Sequence, residues 1–195
     1  MENINTSEYW DKKIDYIERN KLKINGGEER RKLISKFIKP NSLVLDIGCG
    51  AGDLLEYLDK LGIGLTLYGA DISSVALFFA NQKIPKAKFI QNNGQDRIEL
   101  DNMDVIVMSH VLEHVDNPAV ALKKWSLSLK RNGIIIILLP LNDRTWIEHL
   151  HKFTSESAEN LFKTISDDYE IIIRPRGIKY KDETPMMEIV GIIKK

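Results

Sequence analysis

Short apolar runs and amphipathic segments alternate along most of this chain. The runs, of which LVLDIG at 43–48 is typical, are hydrophobic at nearly every position and indicate strands buried on both faces. The segments between them place apolar residues three and four apart, which is typical of helices with one buried face. The alternation therefore predicts a parallel sheet covered by helices. The predicted strands cover 42–48, 65–72, 87–92, 103–110, 132–140, 169–175 and 187–195, and the predicted helices between them cover 52–62, 73–82, 117–131 and 155–165.

The two ends of the chain depart from this alternation. Residues 1–40 contain two amphipathic segments, one with Ser7 as its N-cap and one set off by Gly26, Gly27 and Pro40, and they predict a cap of two helices. The last two predicted strands have no helix between them, which predicts an antiparallel hairpin at the sheet edge. We therefore expect an α/β fold in which the helical cap precedes a ligand-binding domain.

Composition limits the classes of function. The 195 residues are 43% apolar and 29% charged, which is ordinary for a globular domain. Because 28 basic residues balance 28 acidic ones, no nucleic-acid partner is expected. One cysteine excludes an intrachain disulfide and a cysteine-rich zinc site. No apolar run approaches membrane-spanning length and no signal peptide is visible, so we expect no membrane span and a cytoplasmic location. Nothing in the sequence indicates an oligomeric state.

The stretch LDIGCGAGD, at 45–53, carries the clearest chemical signal. Gly48, Gly50 and Gly52 follow the first buried strand in a G-x-G-x-G spacing, whereas the dinucleotide fingerprint is G-x-G-x-x-G and Asp53 stands where its third glycine belongs. Asp46 precedes the loop by two residues and would repel a pyrophosphate. A ligand end that carries both an ammonium and a carboxylate suits this carboxylate and the helix amides beyond the turn. The amino-acid end of S-adenosylmethionine has that chemistry.

A second carboxylate indicates a nucleoside. Asp71 ends the second predicted strand, 19 residues after Gly52, where a carboxylate accepts hydrogen bonds from a ribose diol. This contact suits NAD equally well, so an NAD-linked oxidoreductase stays open as an alternative. Cys49 lies between two glycines and is interpreted as a small filler whose backbone matters. A tight turn without any ligand is the remaining alternative for the loop.

Several motifs together resemble the class I S-adenosylmethionine-dependent methyltransferases that act on small molecules, lipids, quinones and sugars. They are LVLDIGCGAGDLLEYL, YGADIS, MDVIVMSHVLEHVDNP and LKRNGIIIILLP, and the resemblance covers about residues 42–165. It implies a doubly wound, mostly parallel, Rossmann-like sheet of seven strands with an antiparallel C-terminal strand. It also implies a cofactor-binding methyltransferase domain at 41–195 after a cap at 1–40. The implied activity is methylation of oxygen, nitrogen or carbon on a small-molecule or carbohydrate-like acceptor.

The resemblance also implies the residues that contact S-adenosylmethionine. Asn93 stands where the family usually has an aspartate near the adenine amino group, and it keeps a carbonyl acceptor without the charge. Tyr9 and Trp10 resemble an N-terminal element that closes over the cofactor. The full set of expected cofactor contacts is Tyr9, Trp10, Asp46, Gly48, Cys49, Gly50, Asp71, Ile72, Asn93, Gly94, Ser109 and His110.

Histidines supply the candidate bases. His110, His149 and His151 are candidate catalytic residues, since a histidine over the acceptor pocket can take a proton from a hydroxyl. His114 follows His110 by four residues, but the order is not H-E-x-x-H, so we expect no metal site and a packed His114. Arg30 and Arg31 are interpreted as a solvated helix face, with a reach to the cofactor carboxylate as the alternative. A cofactor-binding subunit without catalysis also remains open, because methyl transfer needs no strong base.

Overall fold

The computed structural model describes residues 4–19, 27–142, 147–180 and 182–195. Thirteen helices and strands lie within these ranges and follow one another in the predicted order. In chain order they are α1 (Ser7–Arg19), α2 (Gly27–Ser35), β1 (Leu43–Ile47), α3 (Asp53–Asp59), β2 (Thr66–Asp71), α4 (Ser74–Lys83), β3 (Lys88–Gln91), β4 (Met103–Ser109), α5 (Pro118–Ser126), β5 (Leu129–Leu141), α6 (Ser155–Lys163), β6 (Tyr169–Lys179) and β7 (Pro185–Lys194).

The described strands form one seven-stranded sheet in the order β3-β2-β1-β4-β5-β7-β6. Neighbours from β3 to β5 pair in parallel, while β7 pairs antiparallel with both β5 and β6. The predicted fold class, a mostly parallel sheet with an antiparallel C-terminal strand, is confirmed. The strand order reverses direction between β1 and β4, and ligands of open α/β sheets bind at that point, beyond the carboxyl ends of the strands.

Two hydrophobic layers cover the two faces of the sheet. One layer lies under α5 and α6 and contains Trp125 and Phe162, both fully buried. The other lies under α2 and α3 and contains Ile34, Leu55 and Leu58. The strands separate the layers because successive side chains point to opposite faces, so both faces are apolar, as the runs predict. Among the described residues no helix combines the length and the apolar character that a membrane crossing needs.

Three predicted boundaries are wrong for reasons of tertiary structure. The helix predicted over 117–131 ends at Ser126, because Leu129 is buried and pairs with Met103 at the start of β5. β6 continues through Lys179, although an exposed hairpin loop was expected after residue 175. α2 ends at Ser35 in a tighter turn rather than reaching Pro40. Gly26 lies outside the described residues, as do residues 143–146, which connect the strand predicted at 132–140 to the helix predicted at 155–165.

Candidate functional site

A glycine loop joins β1 to α3 at the point where the strand order reverses. Gly48 has a φ of +70°, and a Cβ there would come within 2.4 Å of Val111 Cγ2. Gly50 has a φ of +53°, and a Cβ there would meet no atom within 4 Å, because this residue faces an open cleft. The first glycine is therefore required for packing and for backbone conformation. The second leaves the backbone accessible to a ligand.

The end of β2 holds this loop in place. The amides of Gly48 and Cys49 donate to the Ala70 carbonyl at 2.7 and 3.0 Å. Asp71 accepts from the Gly50 amide at 2.8 Å and from the Ser73 amide at 2.9 Å. Burial raises the pKa of the Asp71 carboxyl, although both amide donors act in the opposite direction. Asp71 therefore helps to build the loop and also lines the cleft.

Asp46 is the most unusual residue of the site. It lies on β1, is 3% exposed, and receives no hydrogen bond from any group in the described ranges. Burial, together with the nearby charge of Asp71, raises the pKa of Asp46 well above its ordinary value. Two carboxylates thus lie near the carboxyl ends of adjacent strands, and neither has an ion pair among the described residues, which is the electrostatic setting that a positively charged ligand relieves.

The cleft above the loop has a cavity volume of about 210 Å³ and opens to solvent. It brings together eight of the expected contacts, namely Trp10, Gly48, Gly50, Asp71, Ile72, Asn93, Gly94 and His110. Tyr9, Cys49 and Ser109 are not among the lining residues, and neither is Asp46, which is buried in β1. The cleft also contains residues outside the expected set, namely Asn5, Ile14, Asn92, Gln95, Val111, His114 and Val115.

The loop after β3 is shaped by its own asparagines. The Asn93 Oδ1 accepts from the amides of Gln95 and Asp96 at 3.0 and 3.1 Å. Asn92 accepts from the Gly94 amide at 2.7 Å and donates to the Asp96 carbonyl. The Asn93 oxygen therefore already serves a turn, as asparagine often does. Its expected contact with the adenine amino group stays a prediction, and the geometry favours a role in shaping the cleft wall.

Helix α1 closes one side of the cleft, and side chains of α1 bind Glu148 in the segment that precedes α6. Tyr9 Oη donates to Glu148 at 2.6 Å, and Lys13 Nζ lies 2.5 Å from the same carboxylate oxygen. Burial and the Glu148 charge raise the pKa of Tyr9 to about 12. Burial opposes ionisation of Glu148, but Lys13 and Tyr9 outweigh it and lower its pKa to about 2. Tyr9 thus fastens the helix that brings Trp10 to the cleft.

His110 lies between two buried carboxylates. Its Nδ1 is 3.1 Å from Glu113 and its Nε2 is 3.0 Å from Glu188. Both glutamates are fully buried, and although burial opposes ionisation, the His110 hydrogen bonds and neighbouring positive charges lower the pKa of each. Ionised carboxylates only accept hydrogen bonds, so His110 bonds to both glutamates at once only in the form in which both ring nitrogens donate. The His110 ring thereby links the cleft to two buried carboxylates.

The other two candidate bases lie outside the cleft lining. His151 directs its Nε2 at the carbonyls of Val115 and Asp116, at 2.9 and 3.2 Å. His149 is mostly buried, with its Nε2 at 4.0 Å from Glu113. Both histidines belong to a segment that is anchored by hydrogen bonds from the backbone amides of Leu150 and His151 to the Glu113 carbonyl. Their catalytic role stays a prediction.

Two histidines and one glutamate form a cluster beside the segment that contains His149 and His151. His114 lines the cleft, its Nδ1 donates to the Glu148 carbonyl at 2.9 Å, and its ring stacks edge-on against Trp10 and His149. Glu113, His114 and His149 each offer one atom within 4.8 Å of the others, a spacing that suits a metal ion. The Glu113 charge is already paired with His110. The expectation of no metal site remains a prediction.

Comparison with known proteins identifies the family. The profile of a family described as methyltransferase domain matches residues 17–169. A ubiquinone/menaquinone biosynthesis C-methyltransferase from Campylobacter jejuni is 27% identical over 114 residues, which are 55% of this chain and 48% of that protein. A ubiquinone biosynthesis O-methyltransferase from Vibrio atlanticus is 31% identical over 157 residues, 75% of this chain and 63% of that protein. The chain therefore spans about half to under two thirds of the length of these curated relatives.

A solved structure of similar length shares the fold. The crystal structure of a TehB-like SAM-dependent methyltransferase from Corynebacterium glutamicum superposes with a TM-score of 0.65 at 20% identity, covering 97% of this chain and 98% of that one. The family profile extends over most of the chain, and the glycine loop and the paired carboxylates lie within it. This chain belongs to the class I S-adenosylmethionine-dependent methyltransferases.

Proposed function

We propose that this protein binds S-adenosylmethionine in the cleft and transfers its methyl group to a small-molecule acceptor. The observation that carries the proposal is the Asp46 carboxylate, which is buried and receives no hydrogen bond within the described part of the chain. The ammonium of a methionine moiety would satisfy this group. A pyrophosphate would add two negative charges beside Asp46 and Asp71, so the site opposes a dinucleotide.

The other lining residues suit the rest of this cofactor. Gly50 leaves its backbone exposed to the cleft, where a close approach of the methionine end is possible. Each Asp71 oxygen already accepts one amide and retains a lone pair for a ribose hydroxyl. Ile72 and Trp10 offer apolar surfaces on which adenine can pack.

The protein's own contribution to the reaction is position and charge. When bound, the cofactor supplies a methyl group that its sulfonium already activates, so alignment of the nucleophile provides much of the rate. His110 cannot accept a proton while both of its nitrogens bond to ionised glutamates. A nucleophile that ionises readily, such as a phenol or an activated ring carbon, therefore suits this site. The names of the two relatives, an O- and a C-methyltransferase of quinone biosynthesis, support that class of acceptor.

The proposal extends to the domain division and the location of the protein. Residues 1–40 act as a cap and 41–195 as the cofactor-binding domain. The cap contacts that support this are the bond from Ser7 Oγ to the Ile72 carbonyl at 3.0 Å and the Tyr9–Glu148 bond. The buried, unpaired thiol of Cys49 suits a reducing cytoplasm.

Formation of S-adenosylhomocysteine tests the proposal. The protein is incubated with S-adenosylmethionine and a panel of catechols, hydroquinones and hydroxybenzoates, and release of the demethylated product is compared with a reaction lacking acceptor. We expect acceptor-dependent release that Asp46→Asn reduces at low cofactor concentration. The matched control is Asp53→Asn, since Asp53 is exposed and pairs with Lys83 outside the cleft. Failure to bind millimolar cofactor would refute the proposal, whereas binding without turnover would favour a non-catalytic cofactor-binding subunit.

A further inference from the structure

Two arginines contact one buried glutamate on the β6–β7 side of the sheet, and a third arginine lies near them. Glu188 is fully buried and lies 3.2 Å from Arg30 Nη2 and 3.4 Å from Arg174 Nε. Arg174 lies opposite Glu188 in the β6–β7 ladder, and Arg176 follows two residues later on the same strand. The β6–β7 register shifts after Pro175, and the charges of both strand arginines act on Arg30. Arg30, Arg174 and Arg176 are here named the arginine cluster.

This cluster carries more positive charge than its surroundings neutralise. Within the described ranges Glu188 is the one carboxylate that pairs with it. The neighbouring Glu28 and Glu29 on α2 pair with Lys32 instead. Glu113, on the other side of His110 from Glu188, adds one further negative charge. Three guanidinium groups thus face two carboxylates, which leaves an excess of positive charge.

Hydrogen-bond donors of the cluster are also unused. The Nε atoms of Arg30 and Arg176 are buried without an acceptor in the described part of the protein, and no ion pair of Arg176 occurs there. Burial lowers the pKa of Arg30, Glu188 counteracts this, and the charge of Arg176 adds to the lowering. Buried donors without acceptors are costly, as are like charges held together, and an anion with several oxygens relieves both costs.

His110 connects the cluster with the cofactor cleft. Its ring lines the cleft, and its Nε2 lies 3.0 Å from the carboxylate that the arginines share. Neither Glu188 nor any arginine of the cluster lines the cleft around the glycine loop. The cluster therefore begins one side chain beyond the cleft, where a second molecule bound beside the cofactor would lie.

Resting on the proposed function, we infer that the arginine cluster binds an anionic group, a carboxylate or a phosphate, carried by the methyl acceptor. Guanidinium forks bind both anions through paired N–H donors. The partly exposed side chains of Arg30 and Arg174, at 16% and 19%, leave the cluster open to such a group. The cofactor's own carboxylate is the competing occupant. Its ammonium end is expected at Asp46, on the glycine-loop side of His110, so the acceptor fits the cluster better.

The test uses the full-length protein saturated with S-adenosylhomocysteine. Benzoate, phenyl phosphate and the uncharged benzamide are titrated into it, and binding is followed by ligand-observed NMR. We expect the two anions to bind and benzamide not to bind, and the preferred anion distinguishes a carboxylate from a phosphate acceptor. Arg176→Gln should weaken anion binding about tenfold or more, since it removes charge-assisted hydrogen bonds. Because Arg176 makes no hydrogen bond at its Nε, the variant should fold normally.

The control is Arg131→Gln, which removes one exposed arginine near the N-terminal end of β5, the end opposite to the arginine cluster. This variant should bind the anions as the wild type does. The inference is overturned if no anion binds, if benzamide binds equally well, or if Arg176→Gln behaves like the control. It is also overturned if Arg176→Gln weakens binding of S-adenosylhomocysteine itself, which would assign the cluster to the cofactor carboxylate. Failure of the wild type to bind S-adenosylhomocysteine would instead refute the proposed function.

Discussion

Replacing Asp46 with asparagine should change ligand binding and stability in opposite directions. The substitution keeps the shape of the side chain and removes a charge that is 3% exposed and has no hydrogen-bond donor in the described residues. With ligand, a charge-assisted bond worth about 1.5–3 kcal/mol is lost, so S-adenosylhomocysteine should bind about 10- to 150-fold more weakly. Without ligand, the variant no longer buries an unpaired carboxylate beside Asp71 and should be the more stable protein.

The stability gain should depend on pH. The pKa of Asp46 is raised in the folded state, so folding favours its protonated form, and wild-type stability falls as pH rises above the ordinary value of 3.8. The advantage of Asp46→Asn should therefore be largest near neutral pH and shrink as the pH approaches 4. Thermal unfolding of both proteins between pH 4 and 8 without ligand measures the stability difference, and calorimetric titration at pH 7.5 measures the affinity for S-adenosylhomocysteine.

Asp53→Asn is the matched control for this prediction. Asp53 belongs to the same loop, but it is exposed and pairs with Lys83 at 2.8 Å. Its substitution should leave the affinity for S-adenosylhomocysteine within about twofold, since exposed ion pairs contribute little. The reasoning is refuted if Asp46→Asn binds the ligand as tightly as the wild type, or if both variants lose the same affinity.

Three further substitutions test the surrounding structure. Trp125→Phe removes the buried bond from Nε1 to the Gly94 carbonyl and should lower the free energy of unfolding by about 2 kcal/mol in urea titrations; no change would contradict its structural role. His110→Gln removes the ring that bonds to both buried glutamates and should cost about 3–5 kcal/mol in the same assay, whereas a loss below 1 kcal/mol would contradict its role in pairing them. Tyr9→Phe should destabilise the protein by about 1 kcal/mol. Because the pKa of Glu148 is lowered from 4.5 to about 2, that loss should diminish as pH falls through this interval, and a loss independent of pH would contradict the Tyr9–Glu148 bond.

Local patterns predicted the elements well because strands and helices of this fold differ in hydrophobic period. The β1 run and the α6 pattern are both self-contained, and both elements lie where they were expected. The boundary at Leu129 was missed because its strand conformation depends on pairing with Met103, a contact that no local pattern reveals. Tertiary pairing overrode helix propensity at that point.

The cofactor side of the site was more predictable than the acceptor side. Asp46 and Asp71 lie close to the glycine motif, and their positions in the first two predicted strands indicated an ammonium and a ribose as ligands. The cluster at Glu188 joins residues from α2, β6 and β7 with His110, which follows β4, so it is visible only in three dimensions. One signal was present in the sequence, since Glu188 is a lone charge at the start of the apolar run EIVGII in a strand buried on both faces. Such a residue needs buried partners.

The most direct test of the central claim is a pair of calorimetric titrations of the wild-type protein with S-adenosylhomocysteine and with NADH. The two ligands share an adenosine but differ at the end that meets Asp46, where one carries an ammonium and the other a pyrophosphate. We predict saturable binding of S-adenosylhomocysteine with one site per chain and no detectable heat from NADH at the same concentrations. Saturable binding of NADH without binding of S-adenosylhomocysteine would contradict the assignment of the cleft.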